Sequence, residues 1–415
     1  MIRHQPFFDL LGSLEVDTPP WQATLAGLAV VRLVDSARLD EFVVESDWTG
    51  VCAIVESINV LASGNPLRRP LMKVMDQMRD DHRNWEAVAV ELFSYGRTLD
   101  FEGSWALAAD VFGTVADIAR ADRNPKLAID ATTALGGAAR RSGDWDRSAE
   151  GYAEAAHLAS ALGDQASGLT VRVGTANTHF AKGNFQAAEG ILNEVIKDAV
   201  ASGLDGVAAL ALHTRSSLAS VKGDYAEAIQ IGYQALAKTS NSSAKDAVLA
   251  DLAESFRHLG MHDVARDAYL IVSVTSRLQW VRWQALINLM ELDFLDGNEA
   301  AFDNSALELR NSALDPRLRS YYLLFYGVGC ITFGRSDEGR RSLEEARDYA
   351  FKQKVNQVGF EAEKELSLAV TNGVRGTAGA SQSVDTPSIP AEVNLVARAL
   401  THLRELALSS PHALG

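Results

Sequence analysis

The chain has 415 residues, with 39 Lys and Arg against 54 Asp and Glu, for a formal net charge of −15 at pH 7. An acidic excess of that size repels a nucleic-acid backbone or an anionic membrane surface on average, so neither is expected as the main partner. Proline is scarce at 10 residues, and most of it stands between apolar-periodic stretches rather than inside them, which points to an almost wholly α-helical protein.

The first residues, Met1-Ile2-Arg3-His4-Gln5-Pro6, have no hydrophobic run of signal-peptide length, and no stretch of about 18 apolar residues occurs further on, so a cytoplasmic location is expected. Residues 1–85 carry three apolar-periodic stretches, Trp21 to Val34, Trp48 to Leu61 and Leu67 to Arg79, with turns at Pro19-Pro20 and Ser63-Gly64-Asn65-Pro66. They read as an N-terminal helical cap, possible home of a worn repeat, because Gly64 lies 39 residues before Gly103. Met72, Met75 and Met78 are expected to fill core space. Cys52, like Cys330 far downstream, sits in an apolar helical context and is expected to be a reduced core residue.

From about 86 to 371 one unit recurs. Gly103, Gly143, Gly183 and Gly223 are 40 residues apart, and Gly223, Gly260, Gly297 and Gly334 are 37 apart. Five residues after the glycine stand Ala108, Ser148, Ala188, Ala228 and Ala265, with Phe302 and Gly339 departing. Seven before it are Gly96, Gly136, Ala176, Ser216, Ala253 and Gly327, with Met290 the large exception. Small residues fixed on both sides of a turn imply closely packed antiparallel helices. Two residues after the glycine come Trp105, Trp145, Phe185 and Tyr225, expected to plug the junction between the two helices. A period in this range marks stacked supersecondary units, each unable to bury its apolar face alone.

The pattern resembles the tetratricopeptide repeat, in its long 37–40-residue form, over about 286 of the 415 residues. Segments such as Leu135-Gly136 with Gly143-Asp144-Trp145, or Gly223-Asp224-Tyr225 with Ala228 and Ala235-Leu236, carry the likeness. The resemblance implies an all-α, right-handed α-solenoid of about seven helix-turn-helix repeats with helical caps. It also implies that the first helix of each unit lines a concave face, and that positions six and nine before the turn glycine point into it. Those positions supply the expected peptide-binding residues Arg97, Asn177, Thr214, Ser217, Asp251, Glu254, Asn288 and Glu291, hydrogen-bonding in the middle and acidic toward the later repeats.

Residues 372–390 are rich in Gly, Ala, Ser and Thr and read as a flexible linker. Beyond them, within 391–415, Val393, Val396, Leu400, Leu403 and Ala407 form the apolar stripe of an amphipathic helix, expected either to cap the last repeat or to plug the groove.

Candidate chemistry is thin. His258 and His262 have helical metal-ligand spacing, but Gly260 between them falls at an expected turn. Gly327-Val328-Gly329 has no strand before it and is no phosphate loop. Trp280 and Trp283 are expected to take a core or inter-repeat packing role rather than to form an exposed anchor pair. No Ser/His/Asp or Cys/His constellation assembles, so no catalytic residues, cofactor or metal are expected, and the chain reads as a non-enzyme. The expected function is a protein-protein or protein-peptide interaction module with a protein or peptide in its groove; the alternative is a peptide-responsive regulatory receptor resembling bacterial pheromone receptors.

Overall fold

The computed structural model describes residues 3–38, 48–79, 84–312, 314–353, 355–372 and 389–409. Among the described residues there are twenty α-helices and no strand. The chain divides into two compact units, residues 1–207 and 208–415.

In the first unit, α1 (Gln5–Ser13), α2 (Pro19–Arg38), α3 (Trp48–Val60) and α4 (Arg68–Met78) precede three helical hairpins. These are α5 (Trp85–Phe101) with α6 (Trp105–Ala121), α7 (Pro125–Ser142) with α8 (Trp145–Leu162), and α9 (Gln165–Ala181) with α10 (Phe185–Ala201). Each helix packs on the next, while α1 and α2 lean on α6 and α4 leans on α5. Phe7, Val31, Leu71, Met75, Leu92, Tyr95 and Phe112 share one core there. Met75 is fully buried and Met72 packs beside it, as expected of core filler. Cys52 is exposed, against expectation, whereas Cys330 is buried.

The second unit begins within α11 (Asp205–Val221), which pairs with α12 (Tyr225–Lys238). It continues with α13 (Ser242–His258) and α14 (His262–Thr275), α15 (Gln279–Leu295) and α16 (Glu299–Arg310), then α17 (Pro316–Thr332) and α18 (Ser336–Lys352). Next come α19 (Asn356–Asn372) and α20 (Ala391–Ser409). Trp280 and Trp283 pack against the core of α15 to α19, half-buried. No described helix is long and apolar enough to cross a membrane.

The seven ruled glycines make the seven hairpin turns. Every one has φ between 72° and 85°, a left-handed conformation that side chains resist. In each, the N–H of the following residue reaches back over the turn to the carbonyl five residues earlier, as in Ser104 to Leu99 at 2.9 Å and Arg335 to Cys330 at 2.7 Å. This is the glycine-closed helix end that satisfies otherwise orphaned carbonyls. Asp144 and Asn298 then cap the second helix by accepting from Arg147 N and Ala301 N. A Gly183→Ala substitution, at φ 77° with no atom within 4 Å of the added methyl, should cost about 1–2 kcal/mol from backbone strain alone, read by chemical denaturation.

Residues five after each glycine are buried in all seven hairpins, from Ala108 to Gly339. The exception Phe302 fits because a Cβ on Gly329 would meet its ring at 2.3 Å, and Gly327 gives the same space to Leu343, at 2.7 Å. The Gly327-Val328-Gly329 run is therefore a packing device.

The aromatics two after the glycine do not plug the junctions. Trp105 is 38% exposed, and Trp145, Phe185 and Tyr225 are half-buried, because they occupy the first position of the second helix, at the rim. They bracket the neighbouring turn instead: Lys182 lies 5.3 Å above the Trp145 ring, and His258 stacks on Tyr225 at 4.4 Å. The plug position stands nine after the glycine and is buried in all seven hairpins: Phe112, Tyr152, Leu192, Tyr269 and Leu343 fill it with large side chains, Ala306 with a methyl, and at Gly232 Ser216 and Leu252 take the space.

The docking of α20 also departs from both expected placements. It packs on α14 and α12, which are second helices, with Val393, Val396, Ala397, Leu400 and Ala407 buried. Thr401 and Arg404 hold the buried Asp267 of α14 at 2.7 and 2.6 Å. Residues 373–388, the bulk of the expected linker, lie outside the described residues.

Candidate functional site

The second unit places six of the eight expected binding residues on α11, α13 and α15. Ser217 on α11 donates to Asp251 on α13 at 2.9 Å, and His213, one turn before Ser217, meets the same carboxylate oxygen at 2.9 Å. Thr214 is 9% exposed, and so contributes to packing between helices more than to an open face.

Three residues further along α13, Glu254 receives both Nε and Nη2 of Arg257, at 3.0 and 2.5 Å, and His258 approaches it at 3.0 Å. Arg257 also reaches Glu291 on α15 at 3.6 Å. Burial pushes the Glu254 carboxyl up, but Arg257 and His258 outweigh it and hold the group below its usual range. For Glu291 burial wins: its carboxyl is raised, with Arg257 only partly offsetting and Glu254 adding to the rise. The Tyr269 hydroxyl donates to Glu254 at 3.5 Å, and Asn288 accepts from Gln284 at 3.1 Å. The expected acidic stretch is thus a mixed-charge network, in which one guanidinium ties two carboxylates on successive first helices.

Arg257 and His213 were not among the expected residues. Arg257 was within reach of sequence reasoning, since three residues separate it from Glu254 on one helix face. His213 pairs with Asp251 across 38 residues, on the next first helix, and no local pattern marks it.

In the first unit, Arg97 lines a cavity of about 500 Å³ formed by first helices α5, α7 and α9, together with Phe93, Lys126, Ile129, Asp130 and Thr133. Lys126 is held there by Asp164 at 3.0 Å and by Ser167 at 2.8 Å, a pair at the start of α9. The backbone and hydroxyl of Ser167 and the Lys126 ammonium lower the Asp164 carboxyl to about 2. Asn177, further along α9, is half-buried and does not line this cavity.

The two turn histidines have other partners than a shared ligand. His258 binds Glu254, and His262 Nδ1 meets Asp296 at 2.7 Å on the next hairpin.

No protein-family model matches the chain. No curated protein matches it either. Among solved structures, a tetratricopeptide repeat protein from Parabacteroides merdae is 15% identical, with a TM-score of 0.40, over 66% of this chain and 98% of its own. NprR in complex with its cognate peptide NprX is 12% identical, with a TM-score of 0.44, over 82% and 90% respectively. A Rap protein complexed with competence and sporulation factor is 10% identical, with a TM-score of 0.40, over 84% and 98%.

Proposed function

We propose that this protein is a non-enzymatic interaction module that holds a peptide or a partner helix against the faces of its first helices. The observation that supports this most is the polar network of the second unit: Ser217, Asp251, Glu254 and Glu291 are half-buried and fixed by His213 and Arg257. Donors and acceptors already held in place lose little freedom when a ligand arrives, so each bond made to a peptide backbone contributes more to affinity. The network carries three carboxylates against one guanidinium, which favours a ligand with basic or hydrogen-bonding side chains over an acidic one.

Peptides selected on the full-length protein from a random displayed library test the reading. Binding measured by fluorescence anisotropy should weaken by about 1–3 kcal/mol in Ser217→Ala with Asp251→Asn, typical of lost partly buried hydrogen bonds. Glu344→Lys, on an exposed part of second helix α18, should leave it unchanged. Selected peptides indifferent to the first pair, or equally sensitive to the second change, would place recognition elsewhere.

A further inference from the structure

The second helices differ in length, and the shortest leaves a space that no other described residue fills. Helices α6, α10 and α18 have 17 residues, whereas α16 has 12. Five missing residues at 1.5 Å each remove roughly 7.5 Å of helix. The plug position of this hairpin is Ala306, so no large side chain compensates. A cavity of about 540 Å³ results, bounded by α16, α17 and α18.

Tyr322 and Tyr326, both buried and stacked with centroids 5.7 Å apart, contribute aromatic surface to it. Exposed at its edge are three arginines, Arg310, Arg319 and Arg341. Such a concentration runs against the −15 charge of the whole chain. Two carboxylates line the cavity as well, but both are engaged. Glu345 pairs with Arg319 at 3.2 Å, and Glu338 accepts from the Tyr326 hydroxyl at 2.6 Å.

Arg310 and Arg341 remain, and neither has a carboxylate within 4.0 Å among the described residues. Arg310 is pre-oriented, since its Nη2 donates to the Tyr326 oxygen at 2.7 Å and its guanidinium carbon lies 5.3 Å from that ring's centroid. Arg341 uses Nε on the Asp337 carbonyl at 3.2 Å, which leaves its two terminal nitrogens for a ligand. A guanidinium held in this way suits the planar oxyanion of a carboxylate or the face of a phosphate. The volume is in the range of small-molecule sites and far exceeds what one bare oxyanion needs.

We propose that this cavity binds a small organic anion, with its carboxylate or phosphate head at Arg310 and Arg341 and a planar apolar body against Tyr322 and Tyr326. The site shares no residue with the polar network of α11, α13 and α15 and does not depend on the peptide reading.

Calorimetric titration of the full-length protein with phenyl phosphate, benzoate and inorganic phosphate at one fixed ionic strength tests it. Both aromatic anions should bind saturably, the tighter one identifying the head group. Phenyl phosphate should bind about tenfold more tightly than inorganic phosphate, because the ring contributes. Arg341→Gln, whose wild-type side chain makes only a backbone bond, should weaken phenyl phosphate about tenfold or more, and Arg310→Gln likewise. Glu338→Gln keeps an acceptor for Tyr326 while removing the opposing charge, and should tighten binding, a gain that damage to the fold does not produce. No saturable binding below about 10 mM would overturn the proposal. So would unchanged affinity in both arginine variants, or inorganic phosphate binding as tightly as phenyl phosphate.

Discussion

Tyr152→Ala should destabilise the first unit by about 3–5 kcal/mol, the range for truncating a buried aromatic to alanine. Its ring is 7% exposed and wedges between two first helices. A Cβ on Gly136 of α7 would lie 2.9 Å from that ring, and one on Gly174 of α9 would lie 2.3 Å from it. The two glycines are thus the socket and Tyr152 the knob. Gly174→Ala alone should cost about 1–3 kcal/mol through overpacking. The double variant should cost clearly less than the sum of the two, because the added methyl then enters space the ring has left. Trp145→Ala, which removes a half-exposed rim aromatic, should cost about 1 kcal/mol or less. In stacked repeats contacts are between neighbours, so loss of Tyr152 should open α7 to α9 first, seen as faster amide exchange there than in α5 and α6. Additive costs for Tyr152 and Gly174, or a larger loss from Trp145 than from Tyr152, would refute this packing scheme.

That contrast shows where sequence reasoning reaches and where it stops. The turn glycines were legible because glycine takes a φ near 80° at far lower cost than residues with a side chain, so the requirement leaves the same letter at each turn from Gly103 to Gly334. The small residues five after them were legible for a similar reason: close helix approach admits few side chains. The plug position was not legible, because the space it fills varies with the neighbouring glycines. Phe112, Tyr152, Leu192, Gly232 and Ala306 share a position and no residue class. The rim aromatics repeat visibly and were mistaken for the plug. At the candidate site, positions such as Asp251 and Glu254 followed from the repeat, but their partners did not all follow. His213 reaches Asp251 across 38 residues, and nothing in a local pattern states which cation answers which carboxylate. The docking of α20 on α14 rests on a contact between Arg404 and Asp267, 137 residues apart, and is invisible for the same reason.

A contact of the same long-range kind in the first unit, 106 residues apart in sequence, carries a pH effect. His4, 6% exposed, places Nδ1 2.6 Å from Asp110 of α6 and Nε2 3.2 Å from Asp35 of α2. Burial alone would lower the imidazole pKa, but the hydrogen bond to Asp110 and the close negative charges of Asp110 and Asp35 outweigh it and raise the value to about 9. His4 is therefore a cation at neutral pH and ties α1 to α2 and α6. A group raised in the folded state stabilises fully below its unfolded value, near 6.5, and loses that contribution as the pH rises through about 9. A displacement of this size corresponds to about 3 kcal/mol. The first unit should accordingly lose stability between pH 7 and 10. Asp35 works in the opposite direction. Burial pushes its carboxyl up, but His4, Arg3 and Arg38 pull it below its ordinary value, so its contribution is present above that value and fades as the pH falls beneath it. Removing His4 takes the cation from between Asp110 and Asp35, with Arg3 still paired to Asp35 at 2.6 Å, a loss of up to about 3–5 kcal/mol by analogy with other broken buried pairs. Thermal melts of the wild-type protein and of His4→Gln at pH 7 and pH 10 decide the matter. The wild type should fall steeply over that interval, and the variant should start lower and change little. A wild type with the same melting temperature at both pH values, or a variant with an equal slope, would mean that His4 is neutral in the folded protein and that the contact is an ordinary hydrogen bond.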